Sequence, residues 1–190
     1  MPDNFTIAIA KSSKQFEEIC VPELKKLTGC EFMCIEGNHS IESQRMLDIM
    51  AGIDSWMYKE KYGVIGIASR IQKGINWETF TVRKSRESGT KTEFDKVSKA
   101  IENGSIYPFY TVQAYIKDSK IEGMAICRTK SLYQLIKDKK YKIRQTGANQ
   151  DGQSIFYAVK WSDFKEGEIN IFTKENSWVN QQSTTPTLNG

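Results

Sequence analysis

Two apolar runs joined by a short polar connection limit the folds that are open to this chain. The runs are "GIDSWMY", residues 52–58, and "GVIGIASRIQ", residues 63–72, and "KEKYG" joins them. Short runs rich in β-branched and aromatic residues, separated by so few residues, predict a β-hairpin. The later segment "WETFTVRKS" alternates, with Phe80 and Val82 on one face and Arg83 on the other. We therefore expect a β-sheet at the centre of the fold.

Helical patterns alternate with the strands along the chain. Residues 12–28 have a helical apolar stripe that Pro22 interrupts and Gly29 ends, and residues 92–103 form a second such stripe. "SLYQLIKDKK" predicts a third helix, and further strands are "YPFYTVQAYI", "IEGMAICRT", "YKIRQTG" and "SIFYAVKWSDF". The order of helix, strands, helix, strands, helix and strands predicts a central mixed β-sheet flanked by helices, in the α/β or α+β class.

The length and hydropathy of the chain favour one globular domain. A chain of 190 residues is long enough for one proper core and short for two. We expect the domain to cover residues 1–175, followed by a polar tail over 176–190. The sequence has no apolar run of about eighteen residues and no signal-peptide pattern at its start. A cytoplasmic protein without a membrane partner is therefore expected.

The cysteines and the single histidine limit which metal sites and catalytic triads the chain can form. Cys20, Cys30, Cys34 and Cys127 have irregular spacing and form no paired CxxC motif. Buried, reduced thiols are the expected interpretation, and a metal site from Cys30, Cys34 and His39 is the alternative. Because His39 is the only histidine, triads with a histidine base and metal sites with several histidines are not expected.

Basic residues cluster before the second helix. The chain carries a net charge of +4 with a pI near 8.8, which is compatible with a nucleic-acid partner. Basic side chains and a helix start can both hold a phosphate backbone. The candidate nucleic-acid-binding residues are Arg83, Lys84, Arg86, Lys91 and Thr92. Aromatic residues that could stack on bases are Trp56, Trp77, Tyr107, Tyr110, Tyr115 and Trp161. The alternative interpretations are that the basic residues form a solvated surface and that the aromatic residues belong to the core.

Asp54 places a carboxylate at the start of the first strand of the predicted hairpin, while Arg70 and Gln72 lie on the second strand. A carboxylate at the end of a core strand loses hydration unless something pairs with it. Its natural partners are the Arg70 guanidinium or a divalent cation, which takes oxygen ligands. The alternative is an acid in a turn that is solvated or engaged in an ordinary salt bridge.

This arrangement of an acid on one strand and an amide and a base on the next resembles the PD-(D/E)XK nuclease superfamily. The resemblance implies a restriction-endonuclease-like fold over residues 12–165, and a metal-dependent endonuclease that hydrolyses DNA with Mg²⁺ or Mn²⁺. Such a metal neutralises the developing charge and acidifies the attacking water. The catalytic residues would be Asp54, Arg70 and Gln72, with Arg70 next to the scissile phosphate. The metal ligands would be Asp54, Gln72, Glu18 and Glu42.

The sequence departs from the nuclease pattern at one position of the motif. Ala68 stands where the family has an acid, two residues before Arg70, so Glu78, Arg83 or Glu93 would have to supply a missing group. The alternative function is a catalytically inactive nuclease-fold protein of a phage or mobile element that binds nucleic acid or a protein partner. A third possibility is an interaction domain without a role in nucleic-acid binding.

Overall fold

The computed structural model of the protein describes residues 11–35, 51–61, 63–87, 89, 91–145, 153–173, 175 and 177–180. These residues form a mixed α/β structure in which helices flank a seven-stranded mixed sheet and a three-stranded antiparallel sheet. The predicted mixed sheet with flanking helices is therefore confirmed. The sequence patterns gave no sign that the strands divide between two sheets. Glu42 and His39 lie outside the described residues.

The first described helix changes its pitch in the middle. A π-helical turn over Phe16–Cys20 is followed by the α-helix α1, Val21–Thr28. Pro22 lacks a backbone N–H and fits only the first turn of a helix, so the interruption predicted at this position takes the form of a π-turn before it. Gly29 ends α1 in the left-handed conformation, and its N–H donates to the Lys25 carbonyl at 2.8 Å.

The strands predicted from the sequence appear in the predicted order, and β9 and β10 follow as strands that the sequence patterns did not predict. Their bounds are β1 Glu31–Cys34, β2 Ser55–Lys59, β3 Gly63–Lys73, β4 Thr79–Arg86, β5 Tyr110–Lys117, β6 Lys120–Arg128, β7 Lys142–Gln145, β8 Ser154–Lys160, β9 Ile169–Phe172 and β10 Trp178–Asn180. The helices after α1 are α2, Glu93–Asn103, and α3, Thr129–Lys137. Strand β10 lies within the segment predicted as a polar tail, where the Trp178 ring packs against Phe172 with a centroid separation of 5.2 Å.

The seven-stranded sheet, called the main sheet below, has the order β1-β2-β3-β5-β6-β9-β10. β2 and β3 form the predicted antiparallel hairpin, with Met57 opposite Ile65. β3 and β5 are parallel, with Arg70 opposite Gln113, and the other pairs are antiparallel. A parallel pair needs a long crossover connection. Here the crossover contains β4 and α2, which explains why β4 leaves the main sheet.

The three-stranded sheet, called the small sheet below, has the order β4-β8-β7. On one of its faces Phe80 and Val82 are fully buried in a core that also contains Val97 of α2 and Leu132 of α3. α2 begins at Thr92, whose side chain and backbone both bond to Asp95 as a capping box, and ends at Gly104. The starts and ends predicted for this helix are therefore confirmed, because they depend on local capping chemistry.

The two faces of the main sheet differ in chemistry. The face toward α1, called the apolar face, is buried against Phe16, Cys20 and Leu24. Its members are Met57, Ile67, Val112, Ala114, Ile116, Met124, Ile126 and Phe172. The opposite face of β3 and β5, called the polar face, packs toward the small sheet. Its members are Ala68, Arg70, Gln72, Thr111, Gln113 and Tyr115. None of the described helices is long and apolar enough to cross a lipid bilayer.

Candidate functional site

Asp54 lies directly before β2 and is already bonded to β3. Its backbone N–H donates to the Ile67 carbonyl and its carbonyl accepts from the Ile35 N–H, both at 2.9 Å. Its carboxylate oxygen Oδ2 accepts from the Ser69 N–H at 2.6 Å and lies 3.5 Å from the Ser69 hydroxyl. The side chain therefore continues the pairing of β3 beyond the end of β2, since it satisfies a backbone donor that the strand no longer reaches.

Arg70 lies one residue further along β3, and its ion pair is with α2. Its Nη2 atom donates to Oε2 of Glu93 at 2.8 Å, and both side chains are about one quarter exposed. Glu93 is the first residue of α2, where a negative charge interacts favourably with the helix dipole. The guanidinium carbon of Arg70 also lies 5.1 Å from the centre of the Phe156 ring. The Arg70 side chain is thus directed toward the small sheet.

Gln72 belongs to a polar link between the two sheets. Its Oε1 accepts from Gln113 Nε2 at 3.4 Å, and Gln113 Oε1 accepts from the Thr81 N–H at 3.2 Å and from the Thr81 hydroxyl at 3.0 Å. Thr81 lies on β4, an edge strand of the small sheet, and its N–H needs an acceptor once it is buried. Tyr115 acts in the same way, donating from its hydroxyl to the Thr79 carbonyl at 2.9 Å.

The side chains predicted to bind a metal have separate partners. The Asp54 carboxylate contacts Ser69, Gln72 contacts Gln113, and Glu18 is an exposed residue that pairs with Lys14 at 3.7 Å. Within the part of the chain that the structure describes, no group of three or more His, Cys, Asp or Glu side chains could hold a metal ion. Because Glu42 lies outside the described residues, binding of Mg²⁺ or Mn²⁺ stays a prediction.

The basic residues predicted from one short stretch point in different directions. Lys84 is exposed on the face of the small sheet away from the main sheet, with its ammonium 5.5 Å from the centre of the Tyr157 ring. Arg83 faces the main sheet, opposite Phe156. Because β4 has a bulge between Arg83 and Ser85, Arg86 lies opposite Ser154 on the same face as Arg83, and Lys91 is exposed in the connection that leads to α2. Lys84 therefore lies apart from Arg83 and Arg86.

The predicted phosphate site at the start of α2 already holds an acid. Thr92 is buried, and its N–H donates to Asp95 Oδ2 at 2.9 Å. Its hydroxyl lies 3.0 Å from the same oxygen and 3.1 Å from the Lys84 carbonyl. The first turn thus contains the carboxylates of Glu93 and Asp95. Their negative charge disfavours a phosphate at this helix end, so Thr92 has a capping role in the structure.

Arg83 instead belongs to a group of arginines that the sequence did not reveal. On the small sheet, Arg83 of β4 and Arg144 of β7 are both in register with Phe156 of β8, one on each side. The Arg83 guanidinium lies 5.4 Å from the centre of the Phe156 ring, and Arg70 approaches the same ring from the main sheet. Arg70, Arg83, Arg144, Phe156 and Trp77, whose ring lies 4.7 Å from the Arg144 guanidinium, are called the arginine cluster below.

Tyr115 lies on the polar face of the main sheet. Burial raises the pKa of its hydroxyl, whereas its hydrogen bonds to Thr79 and the positive charges of Arg144 and Arg70 lower that pKa.

The arginine cluster is partly open to solvent. The Trp77 side chain is 54% exposed, whereas Phe156 is 8% exposed and lies at the base of the cluster. The Glu93 carboxylate pairs with the Arg70 guanidinium at one side of the cluster. Guanidinium groups bind oxyanions through paired N–H donors, and an exposed indole offers a flat surface for stacking. The site can therefore hold a ligand that combines phosphate with a planar ring.

The four cysteines are free thiols, as predicted, and three of them are buried. Burial raises the pKa of Cys20 to about 12 and holds that of Cys127 well above its ordinary value. A protonated thiol is a poor nucleophile and a poor metal ligand. Cys20 and Cys127 therefore act as apolar core residues, and the predicted alternative of a Cys30, Cys34 and His39 site includes a residue outside the described part.

Comparison with known proteins adds no relative: no protein-family model matches the chain, and no curated protein matches it at a significant level. The function proposed below therefore rests on the side chains of the arginine cluster and on the charge pattern of the sequence.

Proposed function

We propose that the protein binds nucleic acid through the arginine cluster. The observation that carries the proposal is the approach of Arg70 and Arg83, from two different sheets, to the Phe156 ring. Arg144 lies opposite Phe156 on β7 and over the Trp77 ring. Arginine is the side chain best suited to phosphate, because its planar donors bind two oxygens at once. Aromatic rings next to such donors are the usual partners of bases. A nucleic-acid strand supplies both groups in one ligand.

A purely structural role accounts less well for these side chains. Partly buried guanidinium groups carry a desolvation cost that apolar residues of similar size would not, and departures of this kind are expected at functional sites. The net positive charge of the chain favours the same kind of partner, since it attracts polyanions from solution.

The geometry favours a protein that binds nucleic acid and does not cleave it. Asp54 uses its carboxylate for the Ser69 N–H, and Ala68 occupies the position where the resembling nucleases carry an acid. The restriction-endonuclease-like fold and metal-dependent cleavage stay predictions. Incubation with Mn²⁺ and supercoiled plasmid separates the two forms. Nicking that Asp54→Asn abolishes would establish a nuclease, because the amide keeps an acceptor for Ser69 and removes the charge.

The test of binding is a double variant, Arg83→Ala with Arg144→Ala, measured by fluorescence anisotropy against labelled DNA over a series of salt concentrations. We expect an affinity loss of about 100-fold and a fall in the salt slope of about 1.5, since each lost phosphate contact removes 0.7 to 0.9. Circular dichroism should show a folded protein. The variant Arg83→Lys with Arg144→Lys should recover part of the affinity, because it restores the charge.

The matched control is Lys25→Ala with Lys26→Ala, which removes the same charge from exposed positions of α1 on the other side of the main sheet. We expect the affinity of this control to change by less than about three-fold, as surface charges act weakly at a distance. Equal losses in both double variants, or no loss in the arginine variant, would refute binding at the arginine cluster.

A further inference from the structure

We infer that the ligand of the arginine cluster is single-stranded nucleic acid, with an unpaired base stacked on Trp77 and neighbouring phosphates at the arginines; this inference rests on the proposed function. Two features of the cluster lead to it. Trp77 is exposed on a connection that hydrogen bonds tie to the main sheet, and the guanidinium groups project from strand faces of two different sheets. Each of these features favours single-stranded over double-stranded nucleic acid.

Trp77 lies in the connection between β3 and β4, where other contacts fix its position. The Gly74 N–H donates to the Ile116 carbonyl at 3.1 Å, and Asn76 Oδ1 accepts from the Glu78 N–H at 3.0 Å. Asn76 Nδ2 reaches the Glu122 carbonyl at 3.4 Å. The connection is therefore tied to β5 and β6 on the main sheet, and it presents the indole in a defined place.

The Trp77 ring leaves a large apolar surface in contact with solvent. Trp77 leaves 54% of its surface exposed, although indole is one of the side chains that gain most from burial. The Arg144 guanidinium lies over this ring at 4.7 Å and limits its rotation. The exposed remainder of the ring is available to another planar group. Stacking of a base on such a ring contributes roughly 1–3 kcal/mol.

A base can stack on Trp77 only if it is not covered by its neighbours in a duplex. In a double helix both flat faces of each internal base are occupied, so side chains read only the edges in the grooves. Single strands expose their bases, which is why aromatic side chains serve as stacking platforms for them. The exposed indole therefore selects unpaired nucleotides.

The placement of the arginines favours a flexible backbone. Arg70 is about one quarter exposed on the main sheet, and Arg83 and Arg144 flank the 8% exposed Phe156 on the small sheet. A duplex is stiff over about 150 base pairs, so fitting its backbone to donors on two sheets would require a bend with its own cost in free energy. Proteins that read a duplex insert a helix or a β-ribbon into its major groove, whereas these arginines project from strand faces into the space between two sheets.

The experiment compares the parent protein, Trp77→Ala and Trp77→Phe on a labelled oligo(dT) strand and on a hairpin duplex of equal total length. We expect the parent to bind the single strand at least about ten-fold more tightly than the duplex. Trp77→Ala should weaken single-strand binding by about 10- to 100-fold and leave the salt slope unchanged, since stacking is not electrostatic. Trp77→Phe should keep most of the affinity.

The matched control is Phe109→Ala, which removes another exposed ring that also lies near an arginine, Arg128, at 5.9 Å. Its affinity for the single strand should equal that of the parent. Unchanged binding by Trp77→Ala, a preference of the parent for the duplex, or equal competition by free dTMP would each overturn the inference. The proposed function is tested separately by the Arg83 and Arg144 double variant. If that variant loses DNA binding while the Trp77 results contradict the inference, the proposed function stands and only the preference for single strands is wrong. If the parent binds neither DNA, both proposals fail.

Discussion

The two faces of the main sheet are built from the same strands and have opposite chemistry. On β3, Ile67 is fully buried on the apolar face, while Arg70 and Gln72 lie on the polar face. On β5, Val112 alternates in the same way with Gln113. The apolar face packs on α1 and excludes water. The polar face packs on the small sheet and retains charged side chains. The apolar face therefore stabilises the fold, and the polar face contributes Arg70 to the site that we propose binds a ligand.

The polar face also has a structural role, because its side chains satisfy buried backbone groups of β4. β4 is an edge strand of the small sheet, and its buried backbone groups at Thr79 and Thr81 need partners. Tyr115 and Gln113 supply them from the main sheet. Apolar side chains at these two positions would leave buried polar groups unsatisfied, which costs more than the burial of a few methylene groups gains. Packing of a sheet edge over a sheet face therefore requires polar residues in the interface.

The largest stability effect should come from the apolar face. Ile67→Ala removes a fully buried side chain, and we expect the free energy of unfolding to fall by about 2–5 kcal/mol through lost burial and a residual cavity. Urea unfolding followed by circular dichroism measures this loss. Below the unfolding transition the affinity for DNA should equal that of the parent. A loss of DNA binding in the folded variant would show that the two faces are not independent.

A smaller stability effect is expected on the polar face. Gln113→Ala leaves the buried Thr81 N–H without its acceptor, so the free energy of unfolding should fall by roughly 1–3 kcal/mol. The same urea measurement tests it, with the exposed Gln145→Ala as the control, for which we expect less than about 0.5 kcal/mol. Equal stability of the two variants would mean that Gln113 does not hold the sheets together.

The smallest effect should come from the ion pair at the edge of the arginine cluster. Glu93→Gln removes the carboxylate that opposes Arg70, so we expect DNA to bind about two- to five-fold more tightly at low salt, with a slightly steeper salt dependence. Stability should change by less than about 1 kcal/mol, because the pair is partly exposed.

The control for this variant is Glu102→Gln on the same helix, which breaks the exposed pair with Lys137 and leaves the arginine cluster intact. Anisotropy should give the parent affinity for Glu102→Gln. If Glu93→Gln binds DNA less tightly than the parent, Glu93 supports the site instead of opposing the ligand, and the assignment of Arg70 to phosphate contacts would be wrong.

Local patterns in the sequence were sufficient for much of the secondary structure. The β2–β3 hairpin, the end of α1 at Gly29 and the capped start of α2 at Thr92 each depend on residues close together in the chain. The arginine cluster was only partly predictable. Arg83 was expected to bind nucleic acid together with Lys84 and Arg86, but Lys84 points to the other face of the small sheet, and Arg144 joins Arg83 from β7.

The sequence alone determined the alternation of apolar and polar residues, the turns and caps, and a basic net charge, because these depend on residue type and short spacing. The tertiary structure alone decided that β4 leaves the main sheet and pairs with β8. It also decided that Arg83 and Arg144 lie on either side of Phe156 and that Arg70 reaches the same ring. Those contacts join residues far apart in the chain, and strand order and register fix them, which no local pattern encodes.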